Sequence, residues 1–161
     1  MSTDRHTANK LDLAPLFKAQ YDFTADSVQQ ALAATFAADA SIHLAFPFED
    51  LDGPAELYQE AYAPLFAAIP DLERRDTIIM AGPTDHGDDW VGTCGYYTGS
   101  FESAWLDIPA TGHQVSMRYH EFYRMVDSKV VEMQALWDIP EVMMQAGAWP
   151  MAPSLGREWH V

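Results

Sequence analysis

The fold is decided by the stretch RYHEFYRMVDSKVVEMQALWDIPEVMMQAG, which occupies residues 118–147. Its first half reads as a strand, in which successive side chains point to opposite faces of a sheet. The odd positions then form a nearly unbroken apolar and aromatic face in which Glu121 is the one acid. The other members of that face are Val115, Met117, Tyr119, Tyr123 and Met125. A carboxylate on such a face requires either a partner or a function.

Two interpretations of Glu121 follow from its place on this face. An apolar wall disfavours the charged form of a carboxyl group, which suits such a group to proton transfer. Alternatively, Glu121 pairs with an arginine on a neighbouring strand or at a subunit interface, since structural ion pairs occupy buried positions as readily as active-site acids do. The adjacent His120 points to the opposite face in a regular strand, unless a bulge brings both side chains round.

The second half of the stretch predicts a hairpin and a final helix. Asp127-Ser128 is placed as a two-residue turn, and the second strand runs from Lys129 to Trp137. Pro140 suits the first turn of a helix, and Asp138 before it suits the N-cap position. Asp138 is therefore either a helix cap or an acid or base at the end of the last strand, and the two roles are compatible.

Composition limits the class of protein. The 161 residues fit one domain, and the net charge of −15 disfavours nucleic-acid and anionic membrane partners. No apolar run approaches the roughly 20 residues that span a bilayer. The single cysteine, Cys94, agrees with a cytoplasmic location and is expected to be a small buried hydrophobe. The sequence predicts a disordered leader over residues 1–10, one domain over 11–147 and an apolar extension over 148–161, which packs across the domain or a partner, or is the cut end of a longer protein.

The order of predicted elements indicates an α+β fold. A short helix around Leu13 and Phe17 and a helix with Val28, Leu32 and Phe36 on one face come first, and a third helix follows Gly53-Pro54. Four strands follow, over residues 72–81, 89–101, 114–126 and 129–138. We therefore predict a curved mixed or antiparallel sheet that forms a cone, with the N-terminal helices packed on its concave face.

Motifs for metal and cofactor binding are not found in this sequence. It contains no HxxxH, HxH or CxxC spacing, no Gly-rich phosphate loop and no dinucleotide fingerprint. We therefore predict no metal and no cofactor. His43 and His113 are weaker candidates, because a lone histidine is more often structural than functional.

Several local motifs, taken in order, resemble the SnoaL-like polyketide cyclase family within the nuclear-transport-factor-like cone fold. They are Ile69-Pro70-Asp71-Leu72, residues 108–112 (IPATG), residues 126–132 (VDSKVVE), and Asp138 followed by Gln145-Ala146-Gly147. The resemblance covers roughly residues 24–147. This chain has Ser128 where the family usually has glycine, and Gln134 where it usually has tryptophan.

The resemblance implies an open cone-shaped pocket, a homodimer formed through the sheets, and metal-independent acid–base chemistry by a carboxylate and a histidine. The implied reaction is enolisation of a polyketide-like or ester substrate, followed by carbon–carbon bond formation. The predicted catalytic residues are Glu121, Asp138 and His120. The predicted substrate-binding residues are Gln134, Tyr119, Tyr123, Trp90, Trp137 and His43.

Two functions of different kinds are consistent with these features. The first is a cofactor-independent enzyme that acts on a small to medium apolar carbonyl compound, in which Asp138 or Glu121 removes a proton and His120 stabilises the enolate. The second is a non-catalytic ligand-binding or dimerisation module, which could be one half of a longer protein. The apolar residues 148–161 favour this second function.

Overall fold

The computed structural model describes residues 2–149, in which helices precede most of the strands. The helical elements are α1 (Ser2–Tyr21), α2 (Ala25–Thr35), α3 (Gly53–Glu56), a π-helix (Leu57–Tyr62), α4 (Ala63–Ala68) and α5 (Ile139–Gln145). The strands are β1 (Phe36–His43), β2 (Asp50–Asp52), β3 (Glu73–Pro83), β4 (Asp89–Ser100), β5 (Gln114–Val126) and β6 (Lys129–Trp137). No helix within this part of the chain is long and apolar enough to cross a membrane.

The six strands form one mixed sheet in the order β2-β1-β6-β5-β4-β3. Strands β1 and β6 are parallel, and the other neighbours are antiparallel. The sheet curves without closing, and α1 packs against α2 and β3 on its concave side. The predicted α+β class and the cone with helices on its concave face are confirmed.

The alternation predicted for β5 is confirmed along its length. Its odd positions from Val115 to Met125 are buried, and its even positions are exposed or half-buried. The concave face of the sheet therefore meets the helices, and the convex face points away from them. Glu121 lies on the concave face and is 0% exposed, whereas His120 lies on the convex face.

Two strand assignments differ from the sequence prediction. Phe36 continues the apolar spacing of α2, but the helix ends at Thr35 and Phe36 opens β1, which pairs in parallel with β6. In β6, the regular alternation that buries Met133 and Trp137 would put Val130 on the opposite face with Glu132, yet Val130 is fully buried. The β5–β6 register shifts between Arg124 and Met125, and such a bulge turns the residues on either side of it to different faces.

Residues 2–10, which the sequence predicts to be part of a disordered leader, are helical, because α1 begins at Ser2. Arg5 forms an ion pair with Asp89 at 2.8 Å, and Asn9 is buried, so this end of the helix is tied to the sheet. The apolar extension over 148–161 lies outside the described residues from position 150 onward.

Candidate functional site

Glu121 lies at the centre of a buried polar cluster on the concave face. Its Oε1 accepts hydrogen bonds from the Tyr97 hydroxyl and the Trp137 indole, each at 2.9 Å. Its Oε2 accepts from Arg74 Nη1 and from the Tyr123 hydroxyl, each at 2.5 Å. Of the two interpretations of Glu121, the arginine partner is present, and it comes from β3 of the same chain, two strands away from β5. Four donors satisfy the carboxylate inside the fold.

Arg74 is the fully buried cation of this cluster, and each of its guanidinium nitrogens donates a hydrogen bond. Besides Glu121, the acceptors are Asp76 at 3.0 Å, Thr93 at 3.0 Å, Gln20 at 3.1 Å and Tyr97 at 3.1 Å. The guanidinium carbon lies 4.2 Å from the ring centre of Phe17 and 4.3 Å from that of Tyr119, which adds cation–π attraction. Burial lowers the pKa of Arg74, but the Glu121 carboxylate and the surrounding tyrosines together raise it well above its ordinary value. Arg74 therefore stays positively charged.

The tyrosines of the cluster act as hydrogen-bond donors at neutral pH. Burial raises the pKa of Tyr97 and of Tyr123 well above the ordinary value, and the negative charge of Glu121 raises both further. The Tyr62 hydroxyl lies 3.1 Å from that of Tyr97, and burial is also the main reason that the pKa of Tyr62 and the pKa of Tyr119 are raised. All four hydroxyls keep their protons, so negative charge in the cluster stays on the carboxylates.

A second carboxylate, Asp76, extends the cluster towards the surface. Its Oδ1 accepts from Arg74 Nε at 3.0 Å and from the Tyr119 hydroxyl at 2.5 Å. Asp76, Gly95 and Tyr119 are directly opposite one another on β3, β4 and β5. Because Gly95 has no side chain, the Tyr119 ring can cross over β4 and reach Asp76. The Asp76 side chain is 20% exposed, so this acid contacts both the buried cluster and solvent.

An open groove of about 400 Å³ lies where the cluster reaches the surface, between α1 and β3. Its lining residues are Phe17, Lys18, Tyr21, Arg74, Arg75 and Asp76. Both hydrogen bonds of the Asp76 side chain fall on Oδ1, so among the described residues Oδ2 has no hydrogen-bond donor. The groove therefore combines an anchored carboxylate, cations and aromatic walls.

The other predicted catalytic residues lie elsewhere. His120, Trp137 and Asp138 line a separate groove of about 400 Å³ with Arg118 and Leu136, at the end of β6. Asp138 Oδ1 accepts from the backbone N–H of Glu141 at 3.2 Å and caps α5, as one of its two interpretations predicted. The structure therefore brings His120 and Asp138 together and separates both from the Glu121 carboxylate.

The remaining predicted binding residues occupy two further places. Trp90 and Gln134 line a shallow groove of about 610 Å³ with Phe122 on the convex face. His43 lies 2.6 Å from Asp50 on the neighbouring strand, through its Nδ1. Tyr119, Tyr123 and Trp137 belong to the Glu121 cluster, so the predicted set does not form a single site.

Sequence reasoning missed Arg74 and Asp76. Their spacing of two residues places both side chains on one face of a strand, which is a weak signal that many solvated strands share. The contact that identifies Arg74 is a tertiary one, because its partner Glu121 lies 47 residues away in the chain.

The fold and the arrangement of elements define a class, the nuclear-transport-factor-like cone proteins with a curved six-stranded sheet. The model of the SnoaL-like polyketide cyclase family matches residues 18–146, and the chain belongs to that family. No significant match is found among curated proteins.

Solved structures agree with this assignment at the level of the fold. AclR of Streptomyces galilaeus is 19% identical with a TM-score of 0.73, over 93% of this chain and 91% of that one. IdmH of Streptomyces antibioticus is 20% identical with a TM-score of 0.70, over 86% and 98%. A SnoaL-like polyketide cyclase of Agrobacterium tumefaciens is 20% identical with a TM-score of 0.62, over 86% and 96%.

Proposed function

We propose that this protein is a cofactor-independent acid–base enzyme that acts on a small to medium apolar carbonyl compound in the groove between α1 and β3. The observation that carries the proposal is the Asp76 carboxylate, which is anchored through Oδ1 by Arg74 and Tyr119 and lines the groove. A positioned carboxylate of this kind is suited to proton abstraction. Membership of the SnoaL-like polyketide cyclase family supports the same class of chemistry.

In the proposed reaction, Asp76 Oδ2 takes a proton from the carbon next to the substrate carbonyl. The C–H electron pair forms the carbon–carbon double bond of the enolate, and the carbonyl oxygen becomes negative. Tyr21 lines the same groove and supplies a hydroxyl that stabilises this oxygen. In a cyclisation, the enolate carbon then bonds to a second carbonyl carbon of the same molecule, and Asp76 returns its proton to that carbonyl oxygen.

Glu121 has a supporting role in this proposal. Its two oxygens already accept four hydrogen bonds and it is 0% exposed, so a substrate proton has no access to it. By fixing Arg74, it holds the guanidinium that orients Asp76. The earlier alternatives, Glu121 or Asp138 as the base with His120, stay predictions, and the experiment below tests Asp138.

The test is proton exchange at the carbon next to the carbonyl of α-tetralone in deuterated buffer, followed by NMR. We expect wild-type protein to exceed the protein-free rate and Asp76→Asn to lower that excess at least tenfold, because the amide cannot take the proton. Asp138→Asn is the matched control, since asparagine also caps helices and leaves α5 intact. Circular dichroism checks that each variant is folded.

Two results would contradict the assignment of Asp76. One is an Asp76→Asn variant that exchanges at the wild-type rate. The other is a loss confined to Asp138→Asn, which would move the reaction to the groove with His120. A wild-type rate no faster than buffer alone would contradict the enzyme for this class of carbonyl.

A second candidate function, a non-catalytic dimerisation module, is favoured by the convex face of the sheet. Four apolar side chains are exposed there on neighbouring strands, which are Ile78 at 48%, Met80 at 65%, Phe122 at 45% and Leu136 at 60%. Their strand pairing aligns them in two adjacent rows across the sheet. Exposed apolar side chains in this arrangement favour protein association, and we propose a homodimer through this face.

Leu136→Lys is expected to turn this dimer into a monomer, because it places a charge within the apolar rows. Light scattering coupled to gel filtration measures the mass, which should be twice that of the chain for wild type. Leu11→Lys is the matched control, since Leu11 is 66% exposed on α1, away from the sheet. Wild-type protein that is monomeric at high micromolar concentration would exclude the dimer.

A further inference from the structure

The groove between α1 and β3 is lined by more cations than acids, unlike the rest of the chain. The protein has 24 acidic and 9 basic residues, yet the charged residues that line this groove are three cations and one carboxylate. They are Lys18, Arg74, Arg75 and Asp76. In an acidic protein, a concave site with this lining attracts negatively charged ligands that the remaining surface repels.

The three cations differ in what already neutralises them. Arg74 is buried against Asp76 and Glu121 and cannot turn outward. Arg75 is 52% exposed, and its Nε and Nη2 both donate to Glu73 Oε2 at 2.9 and 2.7 Å. This leaves Arg75 Nη1 without a hydrogen bond among the described residues.

Lys18 is the cation of the groove that has no acidic partner in residues 2–149. It is exposed on α1, opposite the β3 wall that carries Arg75 and Asp76. An ammonium without an ion pair at the rim of a groove can pair with one negative charge on a ligand. The aromatic rings of Phe17 and Tyr21 lie on the same wall and provide apolar contact.

From this arrangement we infer that the substrate is a keto acid or similar carbonyl compound with one carboxylate, which Lys18 and Arg75 bind at the rim. The apolar part of the molecule packs on Phe17 and Tyr21, and its reacting carbon meets Asp76. A single carboxylate matches the one unpartnered cation, and it can also accept a hydrogen bond from Arg75 Nη1. This inference rests on the proposed function and adds a charge requirement to it.

The test compares benzoylpropionate with its uncharged methyl ester, which share a ketone and a ring. Binding is measured by NMR chemical-shift titration of the protein at low salt, without any turnover. We expect the acid to bind at least fivefold more tightly than the ester, and the preference to shrink in high salt as the charges are screened. In the double variant Lys18→Gln/Arg75→Gln the preference should fall below twofold.

Lys10→Gln is the control for Lys18→Gln, because it removes one positive charge from the same helix outside the groove. The inference is overturned if acid and ester bind equally, if neither binds, or if Lys10→Gln lowers the preference as much as the double variant. Its failure is distinguishable from failure of the proposed function. Selective acid binding without Asp76-dependent exchange contradicts only the reaction, and Asp76-dependent exchange without acid preference contradicts only the carboxylate site.

Discussion

Glu121→Ala is expected to lower the free energy of unfolding by about 3–5 kcal/mol, which is the usual cost of breaking a buried ion pair from one side. The variant leaves the Arg74 guanidinium buried at 0% exposure without its nearest carboxylate. It also removes the acceptor of Tyr97, Tyr123 and Trp137. Urea denaturation followed by tryptophan fluorescence measures the change.

The matched control is Glu132→Ala, which removes the partner of Arg124. That pair lies on the convex side, with the two side chains 29% and 22% exposed, and its loss should cost less than about 1 kcal/mol. The double variant Arg74→Met/Glu121→Leu removes both charges and should recover much of the stability lost in Glu121→Ala. Equal effects of Glu121→Ala and Glu132→Ala would contradict the role of the buried cluster.

The sequence allowed the place of Glu121 to be predicted but not its partner. The alternation of β5 is a local property of the chain, and it correctly put Glu121 and His120 on opposite faces. The partner Arg74 belongs to β3, which is separated from β5 by β4 in the sheet. Only the sheet order brings the two together, and no spacing in the sequence encodes that order.

The two wrong strand assignments have a common origin, because in each case the local sequence pattern is compatible with two different structures. Phe36 fits the helical spacing of Val28 and Leu32, yet pairing with β6 extends the chain from that residue. Val130 fits the outer face of a regular strand, yet the register shift in the β5–β6 pair buries it. In both cases a contact with a distant strand outweighed the local pattern.

The sequence predicted only those parts of the candidate sites that depend on local contacts. Asp138 as a helix cap follows from local chemistry with Pro140, and the structure has that cap. Asp76 gains its anchored geometry from Arg74 on its own strand and from Tyr119 two strands away. The hydrogen bond between Tyr119 and Asp76 requires that Gly95 has no side chain. A single glycine in a strand is not a motif that predicts such a contact.

Gly95→Ala is expected to destabilise the fold by about 1–3 kcal/mol or more, because it inserts an atom into a filled position. A Cβ at residue 95 would lie 2.0 Å from the carbonyl oxygen of Arg75 and 2.6 Å from the Tyr119 hydroxyl. The Arg75 oxygen is backbone of the paired strand, so β3 must move away from β4. Urea denaturation measures the loss of stability, and the α-tetralone exchange assay measures its effect on Asp76.

Gly82→Ala is the matched control within the same sheet, since a Cβ there meets nothing within 4 Å. Its effect should stay within about 0.5 kcal/mol. Tyr119→Phe separates the two consequences of Gly95→Ala, because it removes the hydrogen bond to Asp76 without adding an atom. If the Tyr119 hydroxyl orients Asp76, both Tyr119→Phe and Gly95→Ala lower the exchange rate, while Gly95→Ala alone also displaces β3. A Gly95→Ala variant as stable and as active as Gly82→Ala would contradict the close crossing of Tyr119 over β4, and with it the anchoring of the proposed base.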